Sequence, residues 1–488
     1  MSDNNKAIGI IDTTLRDAHQ CLWATRMTTP HMLPVAERMD RAGFREIDLA
    51  GAIQFDVCVR YLKEDPWERV RLMRERIRET PLRFLVRSKN LMAFDMLPDD
   101  ILDLWVERGV ANGFRVVGSF DGLNDANNIL ATTRVAKKLG VRTFGALSYS
   151  LSPVHTDELY VNLAKKLVDS KTVDAIMLKD AAGLLTVDRI RTLVPAVKKV
   201  IGDVPLEIHS HCLTGLAPLV YLEAVRCGAD LLHASIAPMA NGAAQPSVQS
   251  MAKNLRFMGY DVPVDDALLE EVGEHFQRIA IAEGKPLGEV LEYDAFHYEH
   301  QMPGGMLSNF KSQLDQAGLA DRFDALLQEV ARVRQELGYP IMITPFAQLV
   351  GTQAVLNVVH GERYRVVPNE VKKYALGYYG ELLAPIAPDI LDRIIENGSK
   401  QISVTPMAPE PALAALRKKY PNISDDERLL RYMFAGSQVD DMLRNKAPMD
   451  TYQHEHSIVT LLRNLSNQPR TGRVYISHEN FQLEISTT

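Results

Sequence analysis

The first 240 residues alternate short β-branched or apolar runs with stretches of helical period, and no other feature restricts the fold so strongly. The runs are IGIID (8–12), FREIDLA (44–50), LRFLVR (82–87), FRVVG (114–118), TFGALSY (143–149), VDAIMLK (173–179), PLEIHSH (205–211) and ADLLHAS (229–235). Between them lie segments such as HMLPVAERMDRAG and DRIRTLVPAVKKVIG. Strands that alternate with helices pair in parallel, because each helix carries the chain back across a face of the sheet. Eight units of about thirty residues match a closed (β/α)8 TIM barrel. Gly43, Gly113, Gly140 and Gly228 each stand before a strand, where helix C-caps are expected. An open doubly wound sheet is the rival, but no GxGxxG follows the first strand.

The rhythm fades after residue 250. Stretches such as DDALLEEVGEHFQRIAIAEG read as helix, and a Pro-containing break, VTPMAPEPA (404–412), precedes a tail with one helical patch and a β-like end. The expected division is a barrel over 5–250, an α-helical domain packed on it over 251–403, and an extension over 404–488. That extension is a candidate docking element for a partner, with a plain solvated tail as the alternative.

Apolar residues make up 46% and charged residues 24%, the balance of a soluble globular protein. A net charge of −7 argues against a nucleic-acid footprint, which needs a basic excess on one face. The start, MSDNNKAIGIID, lacks an apolar signal stretch, and no run approaches the roughly 18 apolar residues of a bilayer span. The four cysteines show no CxxC spacing, so they are read as reduced, small apolar residues and the location as cytoplasmic.

Catalytic groups of such a barrel stand at the C-terminal ends of its strands. There the sequence places Asp12, Arg16, Asp17, His19 and Gln20 after strand one, Arg87 after strand three, Lys179 and Asp180 after strand six, and His209 and His211 on strand seven. Residues two apart on a strand share a face, so His209 and His211 point together and suit a divalent metal, with Asp17 as a carboxylate ligand. Histidines of the core or of a supporting shell explain the same pair. Lys179 ends the apolar run AIMLK, where a bare ammonium is costly to bury. Either it pairs with a carboxylate such as Asp180, or it carries a carbamate and becomes an oxygen ligand beside Asp17, His209 and His211.

DTTLRDAHQ (12–20), ATRM (24–27), SYSLSPVHT (148–156), LKDAAGLL (178–185) and HSHCLTG (209–215) occur in this order. They are followed by QMPGGMLSNFKSQL (301–314), TPFAQLVGTQAVLNVV (344–359) and LGYYGELLAPIAPDI (376–390). Together they resemble the biotin-dependent carboxyltransferases: the pyruvate carboxylase domain, the oxaloacetate decarboxylase α subunit and the transcarboxylase 5S subunit. The resemblance spans about residues 8–400 and leaves the tail outside. It implies transfer of CO2 between carboxybiotin and a 2-oxo acid through an enolate. It further implies a Zn²⁺, Mn²⁺ or Co²⁺ ion on Asp17, His209, His211 and a carbamylated Lys179, with Arg16, Gln20 and Arg87 binding the 2-oxo acid. A metal and a bidentate arginine both suit a developing enolate and its carboxylate.

Departures from the family gather on the substrate side. RGxNxxGY reads RSKNLMAF, which puts Ser88 for Gly and Phe94 for Tyr; WGGATFD reads AGAIQFD, with Ile53; FRVFD reads VGSFD, with Gly118 for Arg. SMSGMTSQPS aligns with PMANGAAQPS, so the threonine that passes a proton between biotin and the enol becomes Ala243. That loss is expected to impair proton transfer by about 100-fold or more unless another group substitutes. An acceptor bulkier than pyruvate or oxaloacetate is one reading of these changes.

The chain holds no Met-Lys-Met biotinylation segment, ATP-grasp loop or P-loop. Biotin is therefore expected on a partner carrier protein, alongside a biotin carboxylase or a decarboxylase subunit, in an assembly that includes further copies of this chain. Two other classes remain: a metal-dependent acyl-CoA lyase or Claisen-type synthase, and a non-catalytic scaffold subunit.

Overall fold

A computed structural model of the chain describes residues 6–303, 320–445 and 449, together with the backbone of Arg473–His478 and Phe481–Ser486. Eight parallel strands close into a barrel: β1 (Gly9–Asp12), β2 (Glu46–Gly51), β3 (Leu82–Val86), β4 (Val116–Ser119), β5 (Arg142–Ser148), β6 (Ala175–Asp180), β7 (Leu206–Ser210) and β8 (Leu231–Ala234). Every expected apolar run supplies one strand. Closure comes from β8 beside β1, in register from Gly9 opposite Leu231 to Asp12 opposite Ala234. That pairing leaves no edge and removes the open-sheet alternative. Strands covered on both faces need no alternation, which is why β2, β3, β6 and β7 are buried along their whole length. The four predicted capping glycines all hold positive φ. At Gly43, a Cβ would also stand 1.9 Å from the Pro263 carbonyl oxygen.

One layer of the barrel interior is charged. Arg83 on β3 donates from Nη1 to Glu46 at 2.7 Å and from Nη2 to Glu207 at 2.5 Å, and its guanidinium lies 3.4 Å over the Phe144 ring. Gly118 faces this layer, because a Cβ there would meet Phe144 at 2.2 Å.

The apolar core does not divide at 250/251, a point that falls inside the helix Val248–Phe257. That helix and Asp266–Glu283 share the cluster of the barrel, through Met251, Leu255, Leu269, Val272 and Phe276. A separate apolar cluster, from Met302 through Val330, Phe346 and Tyr374 to Ile394, marks the helical region proper. Of the tail, the helices Leu413–Lys419, Asp425–Met433 and Gly436–Arg444 also join the barrel's cluster, through Leu416, Leu429, Phe434 and Met442. Asp426 fastens them to the barrel wall by accepting from Arg108 Nε at 2.6 Å and from Asn112 Nδ2 at 3.1 Å. The β-like end forms an antiparallel hairpin of β9 (Arg473–His478) and β10 (Phe481–Ser486). Most of QMPGGMLSNFKSQL lies outside the described residues. Among the described residues no helix is long and apolar enough to cross a membrane.

Candidate active site

The chain leaves β1 through a wide π-helical turn, Thr14–Ala18, that buries Arg16 and Asp17 side by side. Arg16 donates from Nε and Nη2 to Asp48 Oδ2 at 2.8 and 2.6 Å, and from Nη1 to Asp17 Oδ1 at 2.6 Å. Burial opposes the Arg16 charge, but the two carboxylates outweigh it and hold the guanidinium above its ordinary range. Burial likewise disfavours the Asp17 charge, yet Arg16 and His211 keep this carboxyl well below the usual range. Asp17 is therefore an anion in a buried place, as a metal ligand must be.

Its second oxygen is the centre of the site. Asp17 Oδ2 stands 3.0 Å from His209 Nε2 and 3.2 Å from His211 Nε2, and those two nitrogens are 3.3 Å apart. Ligands held about 2.1 Å from one ion stand about 3.0–3.4 Å apart in octahedral or tetrahedral geometry, so the donor set fits a divalent metal. The far sides of the rings are fixed too: His209 Nδ1 meets His233 Nδ1 at 3.2 Å, and His211 Nδ1 donates to the Ala243 carbonyl at 2.6 Å. Such outer partners are usual for metal-bound imidazoles. Burial opposes protonation of His211, but the charge of Asp17 outweighs it and raises the ring to about 10.

Lys179 closes the group, with Nζ 3.1 Å from His209 Nε2. The salt bridge to Asp180 is not formed. Asp180 accepts instead from the Leu184 and Leu185 amides at 2.9 and 2.8 Å and from Ser210 at 2.7 Å. Burial brings the Lys179 ammonium down to about 8, against the attraction of Asp17.

Above the cluster opens a cavity of about 400 Å³, walled by Arg16, Gln20, Arg87, Lys179, His211 and Ala243 among others. Gln20 accepts from Gln54 Nε2 at 3.3 Å. Arg87 has no carboxylate in hydrogen-bond reach among the described residues: its hydrogen bond runs from Nη2 to the Ala93 carbonyl at 2.5 Å, and its buried Nε has no partner. Burial pushes it down to about 10, with only partial support from Asp56. Ile53 and Phe94 reach the rim, whereas Gly118 and Ser88 do not line the cavity. Gly118 lies against Phe144, and Ser88 donates to Asp121 at 2.8 Å. His19 is turned into the core, with Nε2 on the Leu15 carbonyl at 2.9 Å.

A family model described as conserved carboxylase domain matches residues 298–482. A pyruvate carboxylase subunit from Methanocaldococcus jannaschii is 40% identical over 486 residues, 98% of this chain and 84% of the relative. The chain belongs to the biotin-dependent carboxyltransferases. The methylmalonyl-CoA carboxyltransferase 5S subunit of Propionibacterium freudenreichii is 36% identical over 403 residues, 82% of this chain and 79% of the relative. Among solved structures, the carboxyl transferase domain of Rhizobium etli pyruvate carboxylase with pyruvate superposes with a TM-score of 0.84 at 24% identity, over 99% of this chain and 84% of that one, which speaks for the fold. The likeness does not stop near residue 400 as the motifs suggest. It continues into the tail, whose helices pack on the barrel.

The structure adds residues to the candidate site that sequence reading passed over. Gln245 donates from Nε2 to Asp17 Oδ2 at 2.8 Å and accepts from Thr13 Oγ1 at 2.8 Å. Asp48 anchors Arg16, and His233 backs His209. Cys21, read from the sequence as a small apolar residue, lines the cavity with its sulfur 3.8 Å from His211 Nδ1. The QPS segment was the available signal for Gln245. Asp48 and His233 carry none, because they sit inside apolar strand runs.

Proposed function

We propose that this carboxyltransferase moves a carboxyl group between carboxybiotin, delivered by a carrier domain outside these 488 residues, and a 2-oxo acid held at the barrel mouth. The carrying observation is Arg87, a half-buried guanidinium that lines the cavity, with its buried Nε unpartnered and no carboxylate in hydrogen-bond reach among the described residues. A buried unpaired guanidinium N–H is costly, and a substrate carboxylate is the group that satisfies it bidentately. Arg16 and Gln20 form the wall nearest Asp17 and orient the keto end. Asp17, His209 and His211 hold a divalent ion, with Lys179 as a carbamate completing the set; zinc, manganese and cobalt all suit two imidazoles and two oxygens. When bound, the ion supplies positive charge where an enolate develops. Ala243 presents a methyl group to the cavity, so the proton between biotin and enol travels by water or another side chain.

A second reading concerns the acceptor. Leu85, Leu91, Met92, Phe94, Phe120 and Ile343 make much of the cavity wall apolar. This favours a 2-oxo acid with one carboxylate and an apolar remainder larger than the methyl of pyruvate.

Further copies of this chain and a biotin carboxylase or decarboxylase subunit complete the proposed assembly. The test is carboxyl exchange between carboxylated carrier and a panel of 2-oxo acids, using the purified full chain. Exchange with at least one acid supports the proposal, and a preference for longer apolar acids supports the second reading. Metal-loaded protein with no exchange for any acid overturns the reaction and favours the scaffold class.

A further inference from the structure

We infer that Glu207 and His233 act as a positioning pair that fixes the tautomer of His209 and so aims its Nε2 lone pair at the metal site. The inference rests on the metal-centre part of the proposed function. Glu207 and His209 are two apart on β7 and share its inward face, and β7 pairs with β8 so that Glu207 lies opposite Leu231 and Ile208 opposite Leu232. The register therefore carries His233 alongside His209. All three side chains are buried.

The hydrogen positions follow from what each atom can do. Glu207 takes two bonds from Arg83, at 3.1 and 2.5 Å, and this guanidinium keeps it ionised. A carboxylate only accepts, so His233 Nε2, 3.0 Å from Glu207 Oε2, carries the hydrogen. Glu46 and Glu207 are each shared with a guanidinium, Arg83 or Arg142, and burial together with the Arg83 charge outweighs the pull of Glu207 and Asp48 toward an imidazolium at His233. The neutral His233 ring then has a lone pair on Nδ1. Its contact with His209 Nδ1, at 3.2 Å with the rings 74° apart, needs one hydrogen, and only His209 can supply it. His209 Nε2 is thus left bare, facing Asp17 Oδ2 at 3.0 Å. Two bare acceptors at that distance repel unless a positive centre lies between them. The barrel interior prepares a ligand by a chain of fixed hydrogens that begins one layer down, at Arg83.

The test compares zinc binding by chelator competition for the wild-type full chain, His233→Leu and His233→Asn. Leucine removes the acceptor, whereas asparagine places a carbonyl oxygen where Nδ1 was. The expected result is zinc affinity about 10- to 100-fold weaker in H233L and close to wild type in H233N. Thermal unfolding of the metal-free proteins checks that both variants fold. Equal affinity in wild type and folded H233L overturns the inference, as does an H233N variant as weak as H233L, which points to packing alone. For the unsubstituted protein, ¹⁵N NMR of labelled histidines in the metal-free state reports the tautomer directly. A His209 hydrogen on Nδ1 supports the inference, and one on Nε2 overturns it. A wild type that binds no zinc overturns both this inference and the metal centre. Zinc binding without carboxyl exchange overturns only the proposed reaction.

Discussion

Arg16 gives both Nε and Nη2 to a single oxygen of Asp48, and its Nη1 to Asp17. The guanidinium is thereby a bracket between β2 and the turn after β1, with three of its N–H groups committed before any substrate arrives. In the proposed function, carboxylate recognition falls to Arg87, whose Nε has no partner. Removing Asp48 tests the bracket. Asp48→Ala leaves a buried charge half paired and is expected to cost about 3–5 kcal/mol, measured by thermal unfolding. Metal content should fall with it, since Asp17 loses its anchored neighbour.

Arg87→Met separates stability from activity. The buried Nε of Arg87 has no partner and no carboxylate lies in hydrogen-bond reach among the described residues, so an apolar side chain of similar length should raise the melting temperature. The same change should lower kcat/KM for the 2-oxo acid by at least about 100-fold, about 2.7 kcal/mol. Steady-state kinetics and calorimetry on one preparation check both signs.

Metal removal should be visible without any assay of turnover. Dialysis against a chelator is expected to lower the melting temperature, and zinc at about 100 times its dissociation constant should restore about 2.7 kcal/mol. Elemental analysis should find one tightly held ion per chain in untreated protein.

Ala243→Thr places a hydroxyl in the cavity wall beside His211, whose Nδ1 is bonded to the carbonyl of the same residue. If proton transfer limits exchange, the rate should rise toward the roughly 100-fold that a positioned proton carrier contributes. An unchanged rate in a folded, metal-loaded variant identifies water or another side chain as the carrier.

Asp12 gives stability an unusual pH dependence. Burial raises its pKa from 3.8 to about 7, against the hydrogen bonds from Thr14. The folded state thus binds the proton more tightly than the unfolded one. The contribution of this group to stability falls as pH rises from about 4 through about 7, and the full cost of a buried anion remains above that. Asp12→Asn should flatten this part of the profile, and melting curves at pH 5 and pH 8 show whether the gap narrows.

Much of this protein was readable from the order of its residues. Eight apolar runs at regular intervals can bury both faces only as a parallel sheet wrapped by helices, and glycines before the strands mark where those helices stop. The side-chain period of a strand is two, so His209 and His211 had to share a face, and strand order placed Asp17, Lys179 and Arg87 at the same end of the barrel. Linear sequence does not contain strand register or closure, and these decided the rest. Bringing β8 beside β1 set Gln245 against Asp17, a pair separated by 228 residues, and pairing β7 with β8 set His233 against His209, 24 residues apart. The register of β4 on β5 turned Gly118 toward Phe144 and away from the cavity, and that of β6 on β7 set Lys179 beside His209 while Asp180 bound backbone amides. Local pattern records which face a side chain takes. The partner it finds there depends on register across a closed sheet, which only the folded chain determines.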